Sequence, residues 1–155
     1  MSYAKDIATD IIAQLAENPE LFAIPYTAAY RRQFVDATEK AAAPGTAASV
    51  LQLIFAPVNT DYERIGWGAA RITVTLGMLV TIQVADPTND AEIDPLEEFV
   101  DVFATWLLGA RQFATVFSTQ KPTVIAGDHL NDHLYEKSEF HVPIIAEFFC
   151  DVGVA

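Results

Sequence analysis

Asp128-His129 and Asp132-His133 are the residues of this sequence that most resemble reactive chemistry. On a helix, histidines four positions apart share a face and can hold zinc together. The residues between them lack the glutamate that a zinc hydrolase uses as a base, and no further cysteine or histidine is clearly placed beside them. A polar surface loop over Gly127 to Lys137, GDHLNDHLYEK, is the favoured reading. His141 falls on the polar side of an alternating stretch and is read in the same way.

Carboxylates form the second candidate. Asp86, Asp90, Glu92, Asp94, Glu97, Glu98 and Asp101 occur in one short run with no base among them. Clustered carboxylates can bind a divalent cation, but the ordered spacing of a calcium loop is missing. Some of these acids favour a helix N-terminus, and the rest make a negative surface that repels DNA. Arg31, Arg32, Arg64 and Arg71 are scattered, and salt bridges account for them. There is no nucleophile elbow, glycine-rich phosphate loop or paired catalytic carboxylate pattern. The expectation is a protein without enzymatic activity, metal or cofactor.

The element that organises the chain is Ala70 to Ala85, ARITVTLGMLVTIQVA. Ile72, Val74, Leu76, Met78, Val80, Ile82 and Val84 alternate with mostly polar or small residues. Side chains alternate across a strand, so one face of this segment belongs to a core. Its sixteen residues would span roughly 50 Å, whereas a globule of this size is about 40 Å across. Either Gly77 bends the strand with a bulge, the favoured reading, or one end projects as an arm that needs a partner to cover it.

The remaining elements follow in order. Tyr3 to Asn18 is an amphipathic helix with Ser2 as N-cap and Asn18-Pro19 as stop signal. Ile24 and Tyr26 start a short extended piece, which Pro25 keeps out of a sheet centre. Asp36 to Ala48 is a small-residue connection around Pro44-Gly45. Ser49 to Val58 is a strand with Leu51, Leu53 and Phe55 on one face. The polar loop Asn59 to Gly68 joins it to the organising strand as an antiparallel hairpin. A long helix is predicted to open at Asp94-Pro95-Leu96-Glu97. Its first stripe is Ile93, Leu96, Val100, Phe103, Leu107, Ala110 and Ala114; a second is Phe99, Val102, Trp106, Phe113 and Phe117. A helix apolar over most of its circumference is buried on two sides. Lys121 to Ala126 is a short strand. Glu139 to Val152 is a second long strand, placed at an edge or broken locally by Pro143. The fold class is α+β: an antiparallel or mixed sheet of about four strands, with the long helix and the N-terminal helix packed against it, in one domain.

Composition bounds the partners. The chain has 155 residues, 52% of them hydrophobic, with a net charge of −12. That combination opposes disorder and points to apolar surface covered by other chains. The acidic balance argues against tight contact with phosphates or an anionic membrane. Cys150 is the lone cysteine, which fits a reducing compartment. The start, MSYAKDIATD, does not read as a signal peptide, and no apolar run is long enough for a membrane helix. A soluble protein made in the cytosol is expected.

The order of elements, with VLQLIFAPV, ARITVTLGMLVTIQV, DPLEEFVDVFATWLL and FHVPIIAEFF, resembles the tail terminator and neck (tail-completion) proteins of tailed bacteriophages. Pro57, Arg64, Ile72 to Val84, Asp94 and Phe140 stand where that family has a strand-ending proline, a loop arginine, a long strand, an acidic helix cap and a late aromatic-led strand. The first connection, Phe22 to Ala48, is longer than that pattern, and the helix is more aromatic. The resemblance implies a hexameric ring at the head-proximal end of the tail tube, assembled in the bacterial host cytoplasm and carried in the virion. Such a ring ends tube growth and joins tail to head, contacts the tail tube and head-completion proteins, and lets double-stranded DNA pass unbound. Tyr62, Arg64, Trp67, Phe99, Trp106, Phe113 and Phe117 are then expected at subunit interfaces, and Asp86, Asp90 and Glu92 toward the channel. Trp106→Ala or Phe113→Ala is expected to disturb assembly more than secondary structure. The alternative is a small α+β enzyme or ligand-binding domain with a pocket between the sheet and the long helix.

Overall fold

The computed structural model describes residues 2–32, 50–86, 88–109, 112–114, 117–119, 123–124 and 139–153. The His129/His133 stretch, the Asp36 to Ala48 connection and Ala110 lie outside them. Among the described residues the fold is α+β, with two helices and a mixed sheet larger than the four strands expected.

Helix α1, Tyr3–Ala16, follows its predicted pattern. The Ser2 hydroxyl accepts from the Lys5 amide at 3.3 Å, and Ile7, Ile11 and Leu15 are fully buried on one side. Strand β1, Tyr26–Tyr30, runs parallel to the first residues of β2, Leu51–Gly66, and forms one end of the sheet path. Pro25 precedes it at an edge, where its missing amide leaves no ladder bond unmade.

Strand β3, Ala69–Gln83, pairs antiparallel with β2 on one side and with β7, Glu139–Gly153, on the other. The β3–β7 register is unbroken from Ala69↔Gly153 to Gln83↔Glu139 and passes straight through Gly77↔Ile145. The expected bulge at Gly77 is therefore absent. Irregularities fall in β2 instead, between Pro57 and Asn59 and between Arg64 and Gly66. Proline is readily placed at such a break because no ladder donor is required there.

The predicted loop from Asn59 to Gly68 is corrected as well. β2 continues through Gly66, and only Trp67-Gly68 turns the chain, with Gly68 at φ 72°. That left-handed conformation costs a glycine little. Asn59–Gly66 is mostly exposed, so its side chains carry no buried-face alternation to mark them as strand.

β7 is not an edge strand. Its second side carries β5, Phe117–Thr119, and β6, Thr123–Val124. The described pairing on that side reaches only Ile144, so Pro143 stands just past the ladder. β4, Gln112–Phe113, completes the path beside β5.

Helix α2 spans Asp90–Leu107 rather than opening at Asp94. Asn89 is the N-cap, its side chain accepting from the Ala91 amide at 3.1 Å, and Pro95 falls inside the helix. The apolar stripe predicted for it is buried through Leu107. Phe113 and Phe117 follow on strands, not on the helix.

Both helices join one core with the even-numbered side of β3 and β7. Phe140, Val142, Ile144, Ala146, Phe148 and Cys150 share that face, as their alternation predicts. A rail of rings crosses it: Phe55 to Phe103 at 6.3 Å, Phe103 to Trp106 at 6.3 Å, Trp106 to Phe113 at 5.9 Å and Phe113 to Phe148 at 5.7 Å.

Candidate assembly surface

The outer half of the β2–β3 hairpin combines exposure with apolar side chains. Past Phe55, no described strand pairs with the outer edge of β2; the Arg31 amide, donating to the Phe55 carbonyl at 2.7 Å, is the last bond from the β1 side. The arm beyond carries Val58, Tyr62, Ile65 and Trp67 at 55%, 70%, 44% and 101% exposure. An open sheet edge offers a ready template for another strand, and an aromatic side chain wholly in water is unusual for a residue type that is highly buried on average.

The arm is stiffened on its inner side by β7. The Arg71 guanidinium grips Asp151 in a two-point fork, Nε to Oδ1 at 2.7 Å and Nη2 to Oδ2 at 3.1 Å. It also lies 5.0 Å from the centre of the Phe149 ring. The hydrogen bond from Arg71 holds the Asp151 carboxyl below its usual 3.8, with Arg71's charge adding to it. A carboxyl lowered by folding stabilises the fold above its unfolded pKa, and that stability disappears as pH falls through the folded value. The difference in urea midpoint between wild type and Asp151→Asn is expected to stay constant from neutral pH down to about 4 and to close below it. A difference that widens on acidification would show that the fork does not act in this way. Burial first, and then the Asp151 charge, pushes the neighbouring Cys150 thiol up, which keeps it unreactive.

The structure separates the residues expected at subunit interfaces. Tyr62, Arg64 and Trp67 lie together on the exposed arm. Phe99, Trp106, Phe113 and Phe117 do not join them. They are 3%, 6%, 0% and 3% exposed within a single chain, so they belong to its own core. The cause is local. The helix stops at Leu107, the next segment doubles back as β4 and β5 with Phe113 opposite Phe117, and both rings turn inward. Phe99 stacks on Phe22 at 4.1 Å, and Phe117 meets Tyr3 at 5.5 Å. Covering the helix on two sides was the right expectation; the second cover comes from this chain.

The acids expected to face a channel are also partly engaged. Glu92 accepts from the Ala85 and Asp86 amides at 2.7 and 3.1 Å, folding back over the turn before the helix. Asp86 accepts from the Thr88 amide at 3.0 Å and hydroxyl at 2.7 Å, bonds that lower its pKa. Both carboxylates serve the β3–α2 turn. Asp90 is exposed in the first helical turn, where a negative charge favours the helix dipole.

Sequence reasoning missed a polar group inside the fold. Glu139, with its side chain 1% exposed, accepts from the Thr81 hydroxyl at 3.1 Å and meets His141 Nδ1 at 3.1 Å. The first position of an alternating strand gave no sign of burial, because Glu139 lies on the face away from Phe140. His141 was read as a solvated face residue and is largely covered instead.

A cleft of about 490 Å³ opens between the end of α1 and the approach to β1, with Ile12, Leu15, Pro19, Phe22, Ile24 and Tyr26 in its walls. It stands beside α1 and β1, not between the sheet and the long helix. Among the described residues, no three His, Cys, Asp or Glu side chains group as a metal site, and no helix is long and apolar enough to cross a membrane. The sequence matches no protein-family model and no curated protein.

Proposed function

We propose that this chain is a structural subunit that assembles with copies of itself into a ring. In the reading that its element order suggests, the ring sits at the head-proximal end of a bacteriophage tail tube, halts tube growth and receives the head-completion protein. The observation that carries the self-assembly reading is the arm, whose outer edge no described strand pairs and on which Tyr62, Ile65 and Trp67 stand in solvent. A head-to-tail contact of this kind closes into a ring when its rotation permits. The aromatic stripe of α2 contributes nothing to this reading, since it is spent on the core. The acidic balance of the chain, −12 per copy, would multiply around a ring and keep passing DNA from adhering. The pocketed alternative has less behind it: the cleft beside α1 has no charged side chain in its walls, and the cavity against α2 that does, with Glu20 and Glu98, is only about 180 Å³.

Mass photometry and sedimentation velocity at physiological salt, followed by negative-stain microscopy, test the reading. Discrete annular oligomers are expected. A monomer that persists to high micromolar concentration overturns it.

A further inference from the structure

Two hollows lie against α2. One of about 180 Å³ has Glu20 and Glu98 in its walls, and one of about 330 Å³ has Asp101. Leu21 and Val102 line both, so the two join as one groove with a partly apolar floor. All three carboxylates are exposed, and among the described residues none of them meets a basic group of its own chain. The helix beside them carries Asp90, Glu92, Asp94, Glu97, Glu98 and Asp101 and no lysine or arginine. The opposite charge sits at the end of β1. Arg31 and Arg32 are exposed there and likewise make no salt bridge among the described residues. Across residues 21–32 and 50–60, which hold β1 and the first part of β2, they are the only charged side chains. We infer that Arg31 and Arg32 of one copy dock on the groove of the next, against Glu20, Glu98 and Asp101. This inference rests on the self-assembly reading and specifies where one subunit contact is made.

Elimination among the cations favours this pair. Of the described basic residues, Lys5 adjoins Asp6, Arg64 stands beside Asp61 and Glu63, and Arg71 is held by Asp151. Only Arg31-Arg32 has no acid beside it in the chain or opposite it on β2. The chain has nine lysines and arginines against twenty-one acids, so copies meeting at random repel. An unopposed arginine pair facing an unopposed set of carboxylates is the encounter that this charge distribution favours. Arginine also suits the groove itself. Its planar, weakly hydrated head makes paired hydrogen bonds to carboxylates, and its stem can cover apolar surface such as Leu21 and Val102. Val58, 55% exposed, lies just past Phe55, whose carbonyl takes the Arg31 amide, so the positive end brings apolar surface of its own. The two surfaces differ, so the contact is head-to-tail, the kind that closes into a ring.

The test compares full-length wild type with three variants by sedimentation velocity. One carries Arg31→Glu and Arg32→Glu, the second Glu98→Arg and Asp101→Arg, and the third all four substitutions. Each pair of reversals sets like charges face to face and is expected to weaken self-association by about 30-fold or more. The fourfold variant has the wild-type net charge and restores opposite charges across the contact, so it should recover assembly. The two double variants, each unable to assemble alone, should assemble when mixed, because each then supplies the surface that the other lacks. Circular dichroism and melting temperature should not move, since all four side chains are exposed. Wild type that assembles while Arg31→Glu with Arg32→Glu assembles equally well overturns the inference and leaves the ring reading standing. Loss of assembly in both double variants, with no recovery in the fourfold variant or in the mixture, means that the two surfaces do not meet, and also overturns it. A wild type that never assembles removes both.

Discussion

Phe113→Ala is expected to destabilise the isolated chain by about 3–5 kcal/mol, the usual cost of emptying a buried aromatic site. The ring is fully buried, edge-on to Phe148 at 5.7 Å and tilted against Trp106 at 5.9 Å. It therefore joins α2 to β7 through direct contact, and its loss leaves a cavity where two elements meet. Domains of this kind have net stabilities of about 5–15 kcal/mol, so a single truncation removes a large share. A drop in melting temperature of roughly 10 °C or more follows, seen by circular dichroism at concentrations where the protein is monomeric. Leu108→Ala, whose side chain is 60% exposed, is the matched control and should change little. If Phe113→Ala kept its melting temperature and lost only assembly, the ring would have to face another subunit, contrary to the packing described above. This reverses the expectation drawn from the sequence, where the residue appeared as part of an outward stripe.

The second large effect is expected at Glu139. Its Oε1 takes the Thr81 hydroxyl and faces His141 Nδ1, both at 3.1 Å, inside the sheet. Glu139→Ala removes the acceptor of the buried Thr81 hydroxyl, an oxygen that also faces the partly covered His141 ring. Leaving such groups without that acceptor costs about 3 kcal/mol. Glu139→Gln retains a carbonyl oxygen and should lose about 1 kcal/mol, while Thr81→Val, removing one neutral partner, should fall near the same value. Urea unfolding of the three variants checks the ranking. A Glu139→Ala midpoint within error of wild type would show that the cluster holds nothing.

These two sites also mark what could be read from the chain beforehand. Where one face of an element is buried and the other solvated, residue order announced it: Ile7, Ile11 and Leu15 on α1, and Phe140 through Cys150 on β7, lie where their spacing puts them. Where both faces are wet, as over Asn59 to Gly66, a strand writes no alternation and looks like a loop. Phe113 and Phe117 continued a helical spacing past Gly109, and only that glycine hinted that the helix had ended. Pairing partners were the least visible. Nothing in Tyr26 to Tyr30 indicates a parallel neighbour, and Pro143 suggested an edge to a strand that lies between two others. The arm was foreshadowed by arithmetic alone, since a straight strand of that length exceeds the globule.

The place of β7 has a consequence for biogenesis. It is translated after every other described element, yet it occupies the slot between β3 and the β5–β6 side. Until it emerges from the ribosome, β3 lacks the neighbour that pairs with it from Ala69 through Gln83 and presents a bare edge, the condition under which nascent chains coalesce. Contacts spanning so much sequence also form slowly. Nascent chains therefore pass through an interval of vulnerability that closes only when β7 takes its place beside β3.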